Sequence, residues 1–206
     1  MLLADEFYLI AHDDTAGRRR LSPRTAGLGL AGALLGELVF YGRILVHHGR
    51  LVVLDRRPPA DALAHTTMDQ ILAEPQAHTV RVWLAFLAEH AADAVGQRLE
   101  RAGLVTPTRS RWRRRARYVP VDMSTAAWPE HRLRLHLARG EPLALTDAVL
   151  AGLVCATGLA AQVLWDTPAS ARHHLAHAIG GLPQPLRELT AHVETAVGAA
   201  VLSHRT

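Results

Sequence analysis

Six arginines fall within nine residues: Arg109, Arg111, Arg113, Arg114, Arg115 and Arg117, with Trp112 among them and no acid between. A guanidinium presents a planar fork of N–H donors that matches phosphate oxygens two at a time. Such a density of them suits a polyanion. In an extended strand, alternation puts Arg109, Arg111, Arg113, Arg115 and Arg117 on one face and Trp112 on the other. Tryptophan favours the boundary between water and lipid, and each basic residue beside an anionic leaflet contributes about 1 kcal/mol. Three readings fit: a basic hairpin on an anionic membrane, the wing of a nucleic-acid-binding domain, or a solvated loop with no specific partner.

Other chemistry is sparse. The 206 residues contain no Gly-rich phosphate loop, no GxSxG elbow and no HExxH pair. His173 and His177 stand four apart and share a helical face, but no nearby carboxylate completes a metal ligand set. With 13 histidines, such a pair arises readily by chance. Asp13-Asp14 sits in a turn, where Asp is favoured for local reasons. His47-His48 falls at a hairpin tip and is expected to face water. The lone Cys155 lies in an apolar, Ala-rich run and reads as a small core residue rather than a nucleophile. No cofactor and no metal are expected.

All 23 basic residues are arginine, and lysine and asparagine are both absent, a bias that a GC-rich genome explains. The net charge is +4 and the window alone carries six positive charges, so the rest of the chain is slightly acidic. With 49% hydrophobic and 20% charged residues, disordered and fibrous classes are excluded. One cysteine excludes an internal disulfide framework. The first residues, Met1-Leu-Leu-Ala-Asp-Glu, carry acids where a signal peptide needs a basic lead-in, so a cytoplasmic chain is expected. The most apolar stretch, Leu143 to Trp165, nears the length of a membrane span. Asp147 and Gln162 interrupt it, and it reads as the central helix of a bundle.

The elements that position these residues follow from periodicity and breakers. Helices are expected over Leu2 to Ala11, Arg24 to Tyr41, Asp61 to Ala73, Thr79 to His90, Ala92 to Ala102 and Trp128 to Arg139. Leu143 to Trp165, Pro168 to Gly180 and Gln184 to His204 complete the set. Two β-prone runs around His47-His-Gly-Arg50 make a hairpin, and Leu104-Val-Thr with Tyr118-Val-Pro-Val makes a second around the arginines. The fold class is therefore mainly α: amphipathic helices around a central apolar helix, with two small β-hairpins. One domain is expected over residues 1–206.

Several segments stand in a telling order. The apolar Leu2-Leu-Ala-Asp-Glu-Phe-Tyr-Leu-Ile is followed by the turn Asp13-Asp-Thr-Ala-Gly17. Gly29-Leu-Ala-Gly-Ala-Leu-Leu-Gly-Glu-Leu-Val-Phe-Tyr-Gly-Arg-Ile44 ends in Glu-Leu and then Gly-Arg-Ile. The Leu63 to Leu72 helix, Arg98-Leu-Glu-Arg-Ala-Gly-Leu-Val before a hairpin, and the apolar Val149 to Leu164 complete the series. In this order and spacing the chain resembles the Golgi phosphoprotein 3 family, in its bacterial branch, over nearly its whole length.

The resemblance implies a non-enzymatic peripheral membrane protein that recognises phosphatidylinositol 4-phosphate on a cytosolic face, with adaptor clients among membrane proteins and self-association. Aligned without gaps, the positions that read the lipid headgroup in eukaryotic members fall on Ser22, Ala31, Glu89 and Ala92 here, and none keeps the family's Trp or Arg. The hairpin that is apolar in those members carries the arginines. Arg18, Arg19, Arg20 and Arg24 flank the Ser22 position and are candidate substitutes as phosphate contacts. The site expected is therefore Arg109, Arg111, Trp112, Arg113, Arg114, Arg115 and Arg117, with Arg18, Arg19, Arg20 and Arg24, docking anionic lipid on the inner face of a cell membrane. The alternative is a winged-helix-like nucleic-acid-binding regulator using the same hairpin; Glu89, Asp93 and Glu100 on the preceding helices oppose it.

Overall fold

The computed structural model describes residues 1–74, 76, 79–108 and 116–202. Among these, ten helices and two antiparallel two-stranded sheets follow in the order α1 (Leu3–Ile10), α2 (Pro23–Phe40), β1 (Ile44–His47), β2 (Arg50–Val53), α3 (Ala62–Ala73), α4 (Val80–Ala88), α5 (Ala91–Arg101), β3 (Val105–Thr108), β4 (Arg117–Pro120), α6 (Met123–Arg139), α7 (Leu145–Ala156), α8 (Ala160–Val163), α9 (Ala169–Gly180) and α10 (Gln184–Leu202). The protein is mainly α with two small hairpins, as its periodicity predicts.

The helix enclosed on all sides is α2. Every residue from Thr25 to Leu38 is buried, with α1, α4, α7 and α10 packed around it. Its glycines allow the close approach. A Cβ at Gly29 would strike the Phe7 ring, and one at Gly32 would lie 2.5 Å from Val193 Cγ2. The helix starts at Pro23 because Ser22 caps it: Ser22 Oγ accepts from the Thr25 N–H at 3.1 Å, and proline suits the first helical position.

Two expectations shift. The Leu143 to Trp165 stretch is not one helix. It breaks after α7 at Thr157-Gly158, where Gly158 has φ +80° and the Thr157 hydroxyl donates to the Leu153 carbonyl at 2.8 Å. The helix expected from Trp128 starts at Met123, because the Asp122 carboxylate accepts from the Ser124 and Thr125 N–H groups at 3.3 and 2.8 Å. The cap lies one turn upstream of the apolar pattern that marked the helix. Among the described residues no helix is long and apolar enough to cross a membrane.

Two arginines tie the layers together. Arg98 of α5 is turned inward and bonds Asp5 Oδ1 at 2.8 Å, both Glu37 oxygens at 2.9 Å and Asp61 Oδ1 at 3.0 Å. It joins α1, α2 and the cap of α3 to α5. Arg132 of α6 bonds both Glu6 oxygens, at 3.1 and 2.7 Å, and Asp147 Oδ1 at 2.5 Å, linking α1 to α7.

Candidate anion-binding site

The loop between α1 and α2 is built by one carboxylate. Asp13 accepts from the N–H groups of Thr15, Ala16 and Arg18 and from the Thr15 hydroxyl, at 2.5 to 3.2 Å. Its slight burial acts against the charged form, but these bonds hold its pKa below the ordinary value. Gly17 closes the loop at φ +61°, and a Cβ there would collide with the Tyr118 carbonyl of β4. The loop is thereby set against the second hairpin, with Arg18 and Arg19 exposed on it.

A cavity of about 770 Å³ opens at this seam. Arg18, Arg19 and Arg117 line it together with Tyr8, His12, Asp93 and Tyr118, and with the small or apolar Gly17, Leu21, Ala92 and Ala116. Arginines far apart in sequence thus share one concave surface, on which Asp93 of α5 also lies. The floor is neutral. Burial pushes the Tyr8 phenol up, with the nearby Tyr118 and Asp93 adding to it. Burial pulls the His12 imidazole down to about 4, so it is uncharged at neutral pH. His12 Nδ1 lies 2.8 Å from the Tyr8 carbonyl, an acceptor, so Nδ1 carries the proton. The two rings stack at 4.0 Å.

Arg18, Arg19 and Arg117 come together. Arg20 does not join them; it bonds Glu130 of α6 at 2.5 Å. Arg24 is exposed on the first turn of α2 and does not line the cavity. Arg109, Arg111, Trp112, Arg113, Arg114 and Arg115 lie outside the described residues. Of the four positions that the resemblance marks, Ala92 lines the cavity, Ser22 caps α2 beside the lining residue Leu21, Glu89 ends α4, and Ala31 is fully buried in α2.

Sequence reasoning missed Arg98 as an internal anchor. The signal was present: Glu37 is the one charged residue inside the otherwise apolar run of α2, and a charge there requires a partner. His47 and His48 are exposed at the first hairpin tip. Cys155 is half-buried, and burial, with Glu194 adding to it, pushes its thiol up to about 11, far from a thiolate nucleophile. Among the described residues no group of three or more His, Cys, Asp or Glu side chains is placed to hold a metal ion.

Fold and site define a helical protein with a basic, neutral-floored cavity between the α1–α2 loop, α5 and the second hairpin. The model of the Golgi phosphoprotein 3 (GPP34) family matches residues 3–200, and the chain belongs to that family. Comparison with curated proteins gives no match.

Proposed function

We propose that the protein is a non-enzymatic peripheral membrane protein that docks reversibly on anionic lipid, receiving the phosphate of a headgroup between Arg18, Arg19 and Arg117. The observation that carries this reading is the convergence of arginines from two distant segments on one cavity. Membership of the Golgi phosphoprotein 3 family supports lipid as the partner. The Arg109–Arg117 window adds long-range attraction, with Trp112 at the interface. At about 1 kcal/mol per basic residue, the three cavity arginines contribute roughly 3 kcal/mol, or on the order of a hundredfold in affinity. Because the family's own headgroup-reading positions hold Ser22, Ala31, Glu89 and Ala92, attachment here is more general than reading of phosphatidylinositol 4-phosphate alone. The location proposed is the inner face of a bacterial cell membrane, where the protein serves as an adaptor for membrane-protein clients and self-associates.

Co-sedimentation with vesicles tests the reading. Binding to phosphatidylcholine vesicles containing phosphatidylglycerol or phosphatidylinositol 4-phosphate is expected, falling steeply with salt, and binding to phosphatidylcholine alone is not. Equal binding to neutral and anionic vesicles refutes it. A mobility shift on DNA or RNA with no vesicle binding would favour the nucleic-acid alternative.

A further inference from the structure

Helix α6 buries Ala126, Pro129, Leu133 and Leu137 against α1 and α9. The opposite face repeats at helical spacing as Ser124, Trp128, His131, Leu135 and Ala138, with Met123 at its start. Trp128 is 49% exposed and Met123 56%. A solvated helix ordinarily carries charge on its outer face. Among the described residues of α6, no carboxylate stands on this one. The charges at its margins are turned to partners: Glu130 to Arg20, Arg132 to Glu6 and Asp147, and Arg134 to Asp166. The Arg134–Asp166 pair also holds Trp165, 73% exposed, beside the helix.

The helix that carries this face is tied to both segments that supply the cavity's arginines. The Arg20–Glu130 bond clamps the loop bearing Arg18 and Arg19 to the middle of α6. Strand β4, which begins with Arg117, runs into α6 through Val121 and Asp122. A carboxylate-free face with the exposed Trp128, and the exposed Trp165 next to Asp166, thus belong to a helix joined to the Arg18–Arg19 loop and to β4.

We propose that the outer face of α6, with Trp165 beside it, lies in the headgroup region of an anionic bilayer, the helix in the membrane plane. The proposal rests on the reading that the Arg18, Arg19 and Arg117 cavity takes an anionic headgroup. It adds an apolar contribution from a helix to that of Trp112 in the hairpin. Tryptophan belongs at this boundary, and a 17-residue helix offers about 25 Å of length to it. Charge favours a bilayer over a second copy of the chain. Arg18, Arg19 and Arg117, exposed on the two segments joined to α6, complement an anionic surface, whereas two copies packed through this side of the molecule would bring like charges together.

The test uses the full chain and vesicles of phosphatidylcholine with a minor fraction of phosphatidylglycerol. In a variant with Trp83, Trp112 and Trp165 changed to Phe, Trp128 fluorescence shifts to the blue and is quenched by acyl chains brominated near the headgroup. Trp83 is buried, so a second variant guards against misfolding. Trp128→Ser with Trp165→Ser touches exposed positions only; it lowers vesicle partitioning roughly tenfold or more, while binding of inorganic phosphate is unchanged. Co-sedimentation without quenching and without loss in the Ser variant overturns the proposal and leaves the headgroup reading intact. Failure of the natural sequence to bind these vesicles overturns both. A dimer in sedimentation velocity that Trp128→Ser dissolves overturns it in favour of a second copy.

Discussion

Replacing Arg98 by alanine removes the cation that three carboxylates share. The Arg98 side chain is 8% exposed and that of Glu37 is 2% exposed, so water cannot replace the lost partner at Glu37. Asp5 and Asp61 lose bonds of 2.8 and 3.0 Å in the same step. Removing one member of a buried ion pair costs about 3–5 kcal/mol, against a total stability of roughly 5–15 kcal/mol for a natural protein. The expected loss is thus about a fifth or more of the whole. Its pH dependence is specific. Burial raises the Glu37 pKa above its ordinary 4.5, while the Arg98 hydrogen bonds and charge and the Ala4 N–H oppose that rise. Without Arg98 the carboxyl rises further, and the folded chain then holds a proton that the unfolded chain has released. Folded chains that bind more protons lose stability as pH rises, so the variant's deficit is larger at pH 7 than at pH 5. Urea unfolding followed by circular dichroism at both pH values measures it. A deficit below about 1 kcal/mol at pH 7, or one that does not shrink at pH 5, would refute the role assigned to Arg98.

Three further outcomes follow from the same structure. Ser22→Ala removes the cap of α2 and costs about 1 kcal/mol, seen in thermal unfolding; vesicle binding is unchanged, since Ser22 serves the helix and not the headgroup. Gly17→Ala forces a side chain into the Tyr118 carbonyl at positive φ, which costs on the order of 1–3 kcal/mol and weakens anionic-vesicle binding by displacing Arg18 and Arg19. His12 has its pKa lowered from 6.5 to about 4 by burial, so the folded chain binds fewer protons than the unfolded one between those values. His12 therefore withdraws stability as pH falls through that window, by up to about 3 kcal/mol at its end. An imidazole NMR titration that places His12 near 6.5 would contradict this.

The helices were legible because their apolar residues recur at helical spacing, and the two hairpins because β-prone runs flank Gly-containing or Arg-rich turns. The start of α6 was not legible from the apolar pattern. It is fixed by Asp122, a short-range cap whose effect lies outside hydrophobic periodicity. The break after α7 was hidden by the apolar character of Thr157-Gly158's surroundings, although Gly158 supplies the positive φ that ends the helix. At the site, the sequence offered Arg18, Arg19, Arg20 and Arg24 as one group. Only tertiary contacts divide them: Glu130 takes Arg20 out of the cavity, and Arg117 joins it from 98 residues beyond Arg19. The neutral floor was not legible: Tyr8 lies in a helix that read simply as apolar and His12 just beyond its end, and burial and stacking, which neutralise these groups, are properties of the packed state.

The Arg18, Arg19 and Arg117 cavity is proposed to hold a headgroup phosphate. A crystal structure of the protein with a short-chain phosphatidylinositol 4-phosphate tests it most directly. Phosphate oxygens are expected about 2.7–2.9 Å from guanidinium nitrogens of these arginines, above Tyr8 and His12. A phosphate bound elsewhere, with this cavity vacant, would contradict it.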